Sequence, residues 1–104
     1  MEIEFTDQNF AEYAAMGKPM MIDFSASWCG PCKKMGPIVE NLANKYEGQI
    51  LIGKCDVDEN SELVEKFGIR NIPAIMFIKG GELVDKTIGA LPESDIETKL
   101  KSLL

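Results

Sequence analysis

The chain has 104 residues, enough for one domain that buries roughly two thirds of its unfolded surface, so folding requires no disulfide staple or structural metal. Its composition, 45% hydrophobic and 27% charged, lies in the globular range. With 11 basic against 17 acidic residues the net charge is −6, which argues against nucleic acid or an anionic membrane as a main partner, and no stretch approaches the ~20 apolar residues of a membrane span.

The opening Met1-Glu2-Ile3-Glu4-Phe5 carries neither a basic nor an apolar leader region. No secretory signal is read there, and the cytoplasm is the expected compartment. Ile3 to Phe5 predicts a short first strand. Thr6 or Asp7 is expected to cap a helix carrying Phe10, Tyr13 and Ala14, with Gly17 near its end. Met20 to Phe24 is a nearly continuous apolar run, as in a central strand covered on both faces. Asp23 interrupts it. Next, Met35, Val39, Leu42 and Tyr46 form an apolar stripe at helical spacing, with Pro37 inside it as an expected kink. Ile50 to Val57 predicts a third strand. Asn60 is expected to cap a short helix ending at Gly68. Ala74 to Ile78 and Glu82 to Thr87 predict two strands joined by the turn signal Lys79-Gly80-Gly81. A last helix starts near Pro92, with Ile96, Leu100, Leu103 and Leu104 as its buried face. The element order requires parallel crossovers first and an antiparallel hairpin last. The expected class is α/β, a mixed five-stranded sheet with helices on both faces, and residues 1–104 as one domain.

The chain has three cysteines and no histidine. In a reducing compartment a close Cys pair points to redox chemistry rather than to a staple. Cys29 and Cys32 stand three apart where a strand meets a helix, a spacing that brings two side chains to one helical face. Cys29 falls at the helix start, where free backbone N–H groups favour a thiolate below the free-cysteine pKa of ~8.5. Cys32 lies one turn further in. The asymmetry makes Cys29 the attacking and Cys32 the resolving sulfur. Pro31 stiffens the turn, Gly30 permits close approach, and Trp28 offers a flat apolar edge. A zinc half-site is the weaker alternative, since one CxxC supplies two of four ligands and Cys55 at most a third. Cys55 itself reads as a buried small hydrophobe. Asp23, a carboxylate inside an apolar strand, is expected to have a raised pKa.

Trp28-Cys29-Gly30-Pro31-Cys32-Lys33, with Asp23, Pro37, Lys54, Ile72-Pro73, Gly81 and Gly89 at matching places, closely resembles the thioredoxin family along essentially the whole chain. The resemblance implies a three-layer α/β/α sandwich with four helices and protein-disulfide reductase activity without metal or organic cofactor. It implies a cis Pro73 facing the Cys pair. It implies that Asp23 exchanges protons with the resolving thiol and that Lys54 moderates Asp23. Substrate docking is expected on Trp28, Gly30, Pro31, Ile72, Pro73, Gly89 and Ala90. The implied partners are a thioredoxin reductase and disulfide-bearing proteins of the ribonucleotide reductase, peroxiredoxin and methionine sulfoxide reductase types, served by a monomer. Two positions depart from the common pattern: Ser25 replaces a frequent tryptophan, and Ala74 a frequent threonine. Competing readings are an oxidase or isomerase of the same fold, and a non-redox binding subunit.

Overall fold

The computed structural model describes residues 1–104. The elements are β1 (Ile3–Glu4), α1 (Phe10–Ala14), β2 (Met20–Ser25), α2 (Gly30–Lys45), β3 (Leu51–Asp56), α3 (Ser61–Phe67), β4 (Ala74–Lys79), β5 (Glu82–Ile88) and α4 (Glu93–Lys101). The five strands form one sheet in the order β1-β3-β2-β4-β5. β3 runs parallel to β1 and β2, whereas β4 runs antiparallel to both β2 and β5. This is the mixed α/β sandwich expected from the sequence.

Period-two alternation divides each central strand between two cores. Met21, Ile52, Ile75 and Phe77 face α2 and α4, meeting Met35, Val39, Leu42, Ile96 and Leu100. Met20, Ile22, Phe24, Met76 and Ile78 face the other way, toward Leu63 of α3 and the half-buried Phe10 and Tyr13 of α1. Residues buried this fully contribute roughly 1.5–3 kcal/mol each, upper estimates that ordering entropy offsets. The β4–β5 turn is the two residues Gly80 and Gly81, with φ of 63° and 79°. Two successive positive φ values match the right-handed twist of the hairpin, which explains the glycine pair.

Several expectations need correction. β1 ends at Glu4, because Phe5 leaves the ladder after its N–H bonds the Lys54 carbonyl at 2.8 Å. β3 spans Leu51–Asp56, shorter than Ile50 to Val57. Leu104 is 60% exposed, and α4 ends at Lys101, so its buried face is Ile96 and Leu100, with Leu103 buried just beyond the helix. The caps differ as well. Thr6 opens the turn into α1: its hydroxyl accepts from the Asn9 N–H at 3.1 Å, and Asn9 Oδ1 accepts from the Thr6 N–H at 2.8 Å. Asp7 belongs to another helix. Its carboxylate accepts from the N–H groups of Glu62 and Leu63 at 3.2 and 2.9 Å, capping α3 from across the sequence. Asn60 stands at the start of α3 but accepts from the Asp7 N–H and donates to the Asp56 carbonyl, each at 2.9 Å.

One glycine fixes the position of β1. A Cβ built on Gly53 would lie 1.9 Å from the Ile3 carbonyl oxygen, and backbone cannot yield as a side-chain tip does. β1 therefore packs on β3 only because position 53 has no side chain. Gly53→Ala is expected to destabilise the protein by about 2–4 kcal/mol, read as a lowered urea midpoint. An unchanged midpoint would show that β1 is not held this way.

Candidate active site

Cys29 is the N-cap of α2, with extended backbone at φ −91° and ψ 111°. Pro31 lies in the first turn, where its missing N–H leaves no helical bond unmade. The Cys32 N–H points back at Cys29 Sγ, 3.3 Å away. The Cα atoms of the two cysteines are 5.3 Å apart and the sulfurs are joined in a disulfide. Both cysteines are 5% exposed, packed with Ala26 and with the half-buried Val57 and Ile72. Trp28 beside them is 69% exposed, and its indole N–H donates to Asp58 Oδ2 at 2.8 Å.

Ile72 reaches the pair from the segment before β4, and Pro73 follows it in the chain. Their peptide bond is cis, as the resemblance implies. Ile72 packs against the cysteine cluster. Neither its N–H nor its carbonyl pairs with other backbone. The Pro73 carbonyl accepts from the Gly89 N–H at 2.8 Å, which ties Gly89 and the exposed Ala90 to the same side. Gly30 and Pro31 are exposed at the head of α2.

Behind the pair lies a cleft of about 640 Å³. Cys32 lines it; Cys29 does not. Asp23, Lys54, Glu2, Glu4, Glu40 and Pro37 contribute walls. Asp23 is 3% exposed, and no protein donor reaches its Oδ1. Burial pushes its carboxyl up from 3.8 to about 7, Glu2 adds to the rise, and Lys54 opposes it. Asp23 and Lys54 are register partners across β2 and β3, yet Lys54 is exposed and makes no ion pair within 4.0 Å. Desolvation therefore wins over the lysine.

Cys55 lies on the opposite face of the sheet with Phe24 and Leu63. It is fully buried, and burial pushes its thiol up to about 12. It stays a neutral thiol, as expected of a small hydrophobe. The residues not anticipated from sequence are Glu2, Glu4 and Glu40 in the cleft and Asp58 on Trp28. Alternation in Glu2-Ile3-Glu4-Phe5 signals that both glutamates share one face. Asp58 has no comparable signal, because its contact joins residues 30 apart in the sequence.

Comparison with known proteins agrees with this geometry. The thioredoxin family model matches residues 2–102. Thioredoxin 2 of Chlorobaculum tepidum is 50% identical over 98 residues, covering 93% of this chain and 90% of that protein. The thioredoxin of Chlorobaculum thiosulfatiphilum is 48% identical over 98 residues, covering 93% and 91%. Thioredoxin 1 of Nostoc sp. is 39% identical over 102 residues, covering 97% and 95%. A Cys pair at a helix start, with Ile72 packed against it, and these matches along nearly the whole chain lead to one conclusion: the chain belongs to the thioredoxin family and is a protein-disulfide reductase with a redox-active Cys29–Cys32 pair.

Proposed function

We propose that Cys29 is the nucleophile and Cys32 the resolving thiol, within a single thioredoxin domain spanning residues 1–104. The observation that carries this reading is the position of Cys29 at the N-cap of α2, with the Cys32 N–H directed at its sulfur from 3.3 Å. The helix start stabilises a thiolate there. In the first step the Cys29 thiolate attacks one sulfur of a substrate disulfide. A Cys29–substrate disulfide forms, the substrate bond breaks, and the freed sulfur takes a proton from solvent. In the second step Cys32 gives its proton to Asp23 by way of the cleft and attacks Cys29 Sγ. The mixed disulfide breaks and the second substrate sulfur leaves as a thiolate, which takes its proton from solvent. The substrate gains two electrons and two protons, and the protein is left as its disulfide.

Asp23 suits the role of base because burial raises its carboxyl to about 7, closer to a thiol than an ordinary aspartate. Lys54 tempers that rise. The substrate lies on Trp28, Gly30, Pro31, Ile72, Pro73, Gly89 and Ala90, with the unpaired Ile72 backbone available to an extended segment. A thioredoxin reductase restores the dithiol. Ribonucleotide reductase, peroxiredoxin and methionine sulfoxide reductase types are the proposed recipients, in the cytoplasm, served by a monomer.

The test is reduction of insulin disulfides, coupled in turn to an NADPH-dependent and a ferredoxin-dependent thioredoxin reductase. Catalytic turnover with one of them is expected. A strongly oxidising potential for the Cys29–Cys32 pair would instead make the protein an oxidase.

A further inference from the structure

Ile3 and Phe5 pack into the core on the α1 and α3 side of the sheet. Alternation along β1 therefore turns Glu2 and Glu4 to the other face, toward Lys54 and Asp23. Gly53 lets β1 lie close against β3, and both glutamates reach the cleft that Cys32 lines. The charged groups around Asp23 come from three elements. β1 and the residue before it supply Glu4 and Glu2, β3 supplies Lys54 and Asp56, and α2 supplies Lys33 and Glu40.

The two glutamates are not equivalent. Glu4, Lys54 and Asp23 form one row across β1, β3 and β2, with the lysine in the middle. Lys54 thus stands between Glu4 and Asp23 and offsets the charge of Glu4. Glu2 lies outside that row. Extending the register by one residue sets it level with Ile52 and Met21, both apolar. Glu2 is half-buried, whereas Glu4 is exposed. Charge acts further where water is excluded. Asp23, almost fully buried and with Oδ1 free of any protein donor, is the group positioned to feel it.

We infer that Glu2 is a positioning residue for the second step: its charge, held across the cleft by β1, strengthens Asp23 as the base for the Cys32 thiol. The inference rests on the reading of Asp23 as that base. The electrostatics agree in direction, since Glu2 raises the Asp23 carboxyl.

The experiment has two readouts. Side-chain carboxyl NMR follows the titration of Asp23, and single-turnover kinetics with a chromogenic peptide disulfide follow resolution of the mixed disulfide across pH. Glu2→Gln is expected to lower the Asp23 midpoint, to carry the acid limb of the resolution profile to lower pH with it, and to reduce the plateau rate. The rate of the Cys29 step should stay at its wild-type value. Glu2→Asp, which keeps the charge, should restore both readouts toward wild type, and Glu4→Gln should leave both in place. An unmoved Asp23 midpoint in Glu2→Gln overturns the inference. An equal movement in Glu4→Gln also overturns it, by assigning the effect to the total charge of the cleft. Asp23→Asn separates the two layers of the argument. If Asp23→Asn resolves at the wild-type rate at every pH, the base reading fails even where the Glu2–Asp23 coupling is found.

Discussion

Cys32→Ser should turn the protein into a trap for its substrates, while Cys29→Ser should leave it inert. With Cys32→Ser the first attack proceeds near the wild-type rate, because the Cys29 thiolate and the helix start around it are intact. The reaction then stops at the mixed disulfide, which lacks a neighbouring thiol to resolve it. Intact-mass spectrometry and non-reducing electrophoresis should show a 1:1 covalent adduct that persists until an external thiol is added. With Cys29→Ser no thiolate stands at the helix start, and disulfide reduction should fall by more than about a thousandfold. The remaining Cys32 opens toward the cleft behind α2. Stable trapping by Cys29→Ser, with none by Cys32→Ser, would reverse the two roles.

The second large effect is on stability. Asp23 holds its proton up to about 7 in the folded protein, against 3.8 for the ordinary carboxyl of an unfolded chain. Between these values the unfolded chain has released a proton that the folded protein retains. Raising the pH through this window therefore removes stability, and the full cost is present above about 7. The gap between 3.8 and about 7 corresponds to about 4 kcal/mol. Asp23→Asn should lie within about 1 kcal/mol of wild type near pH 4, where folded Asp23 is neutral and the unfolded carboxyl is only partly ionised, and should be more stable by about 4 kcal/mol at pH 8. Urea unfolding of the oxidised proteins at pH 4, 6 and 8 measures this. A difference that does not vary with pH would mean that Asp23 ionises at its ordinary value.

These two expectations draw on sequence and structure unequally. The strand and helix cores are legible because burial on two faces leaves a mark in one dimension. Met20 to Phe24 reads as a central strand, and Met35, Val39, Leu42 and Tyr46 read as a helix face; all of them are buried. The Cys pair is legible because its chemistry needs a fixed local spacing. What escapes the sequence is long-range. Asp7 looks like a local cap and instead caps α3, because a carboxylate serves any free N–H that the fold brings near. Gly53 looks like an ordinary strand residue until β1 is laid against it. The cis bond at Pro73 follows from the resemblance alone, since X–Pro is cis in only ~5–6% of folded cases. Glu2 and Glu4 have a visible alternation, but their nearness to Asp23 depends on β1 joining the sheet beside β3 rather than elsewhere.

The cleft has a further consequence, for the size of substrate the protein can serve. None of Trp28, Gly30, Pro31, Ile72, Pro73, Gly89 or Ala90 lines it, and of the two cysteines only Cys32 borders it. A partner seated over the head of α2 therefore covers one entrance and leaves the other open to bulk water. On the proposed roles of Cys29 and Asp23, electrons cross at the front while the proton travels by the back. A bulky folded protein and a short peptide should then find the same supply of base at Cys32, so the chemistry of release is independent of how completely the partner shields the disulfide.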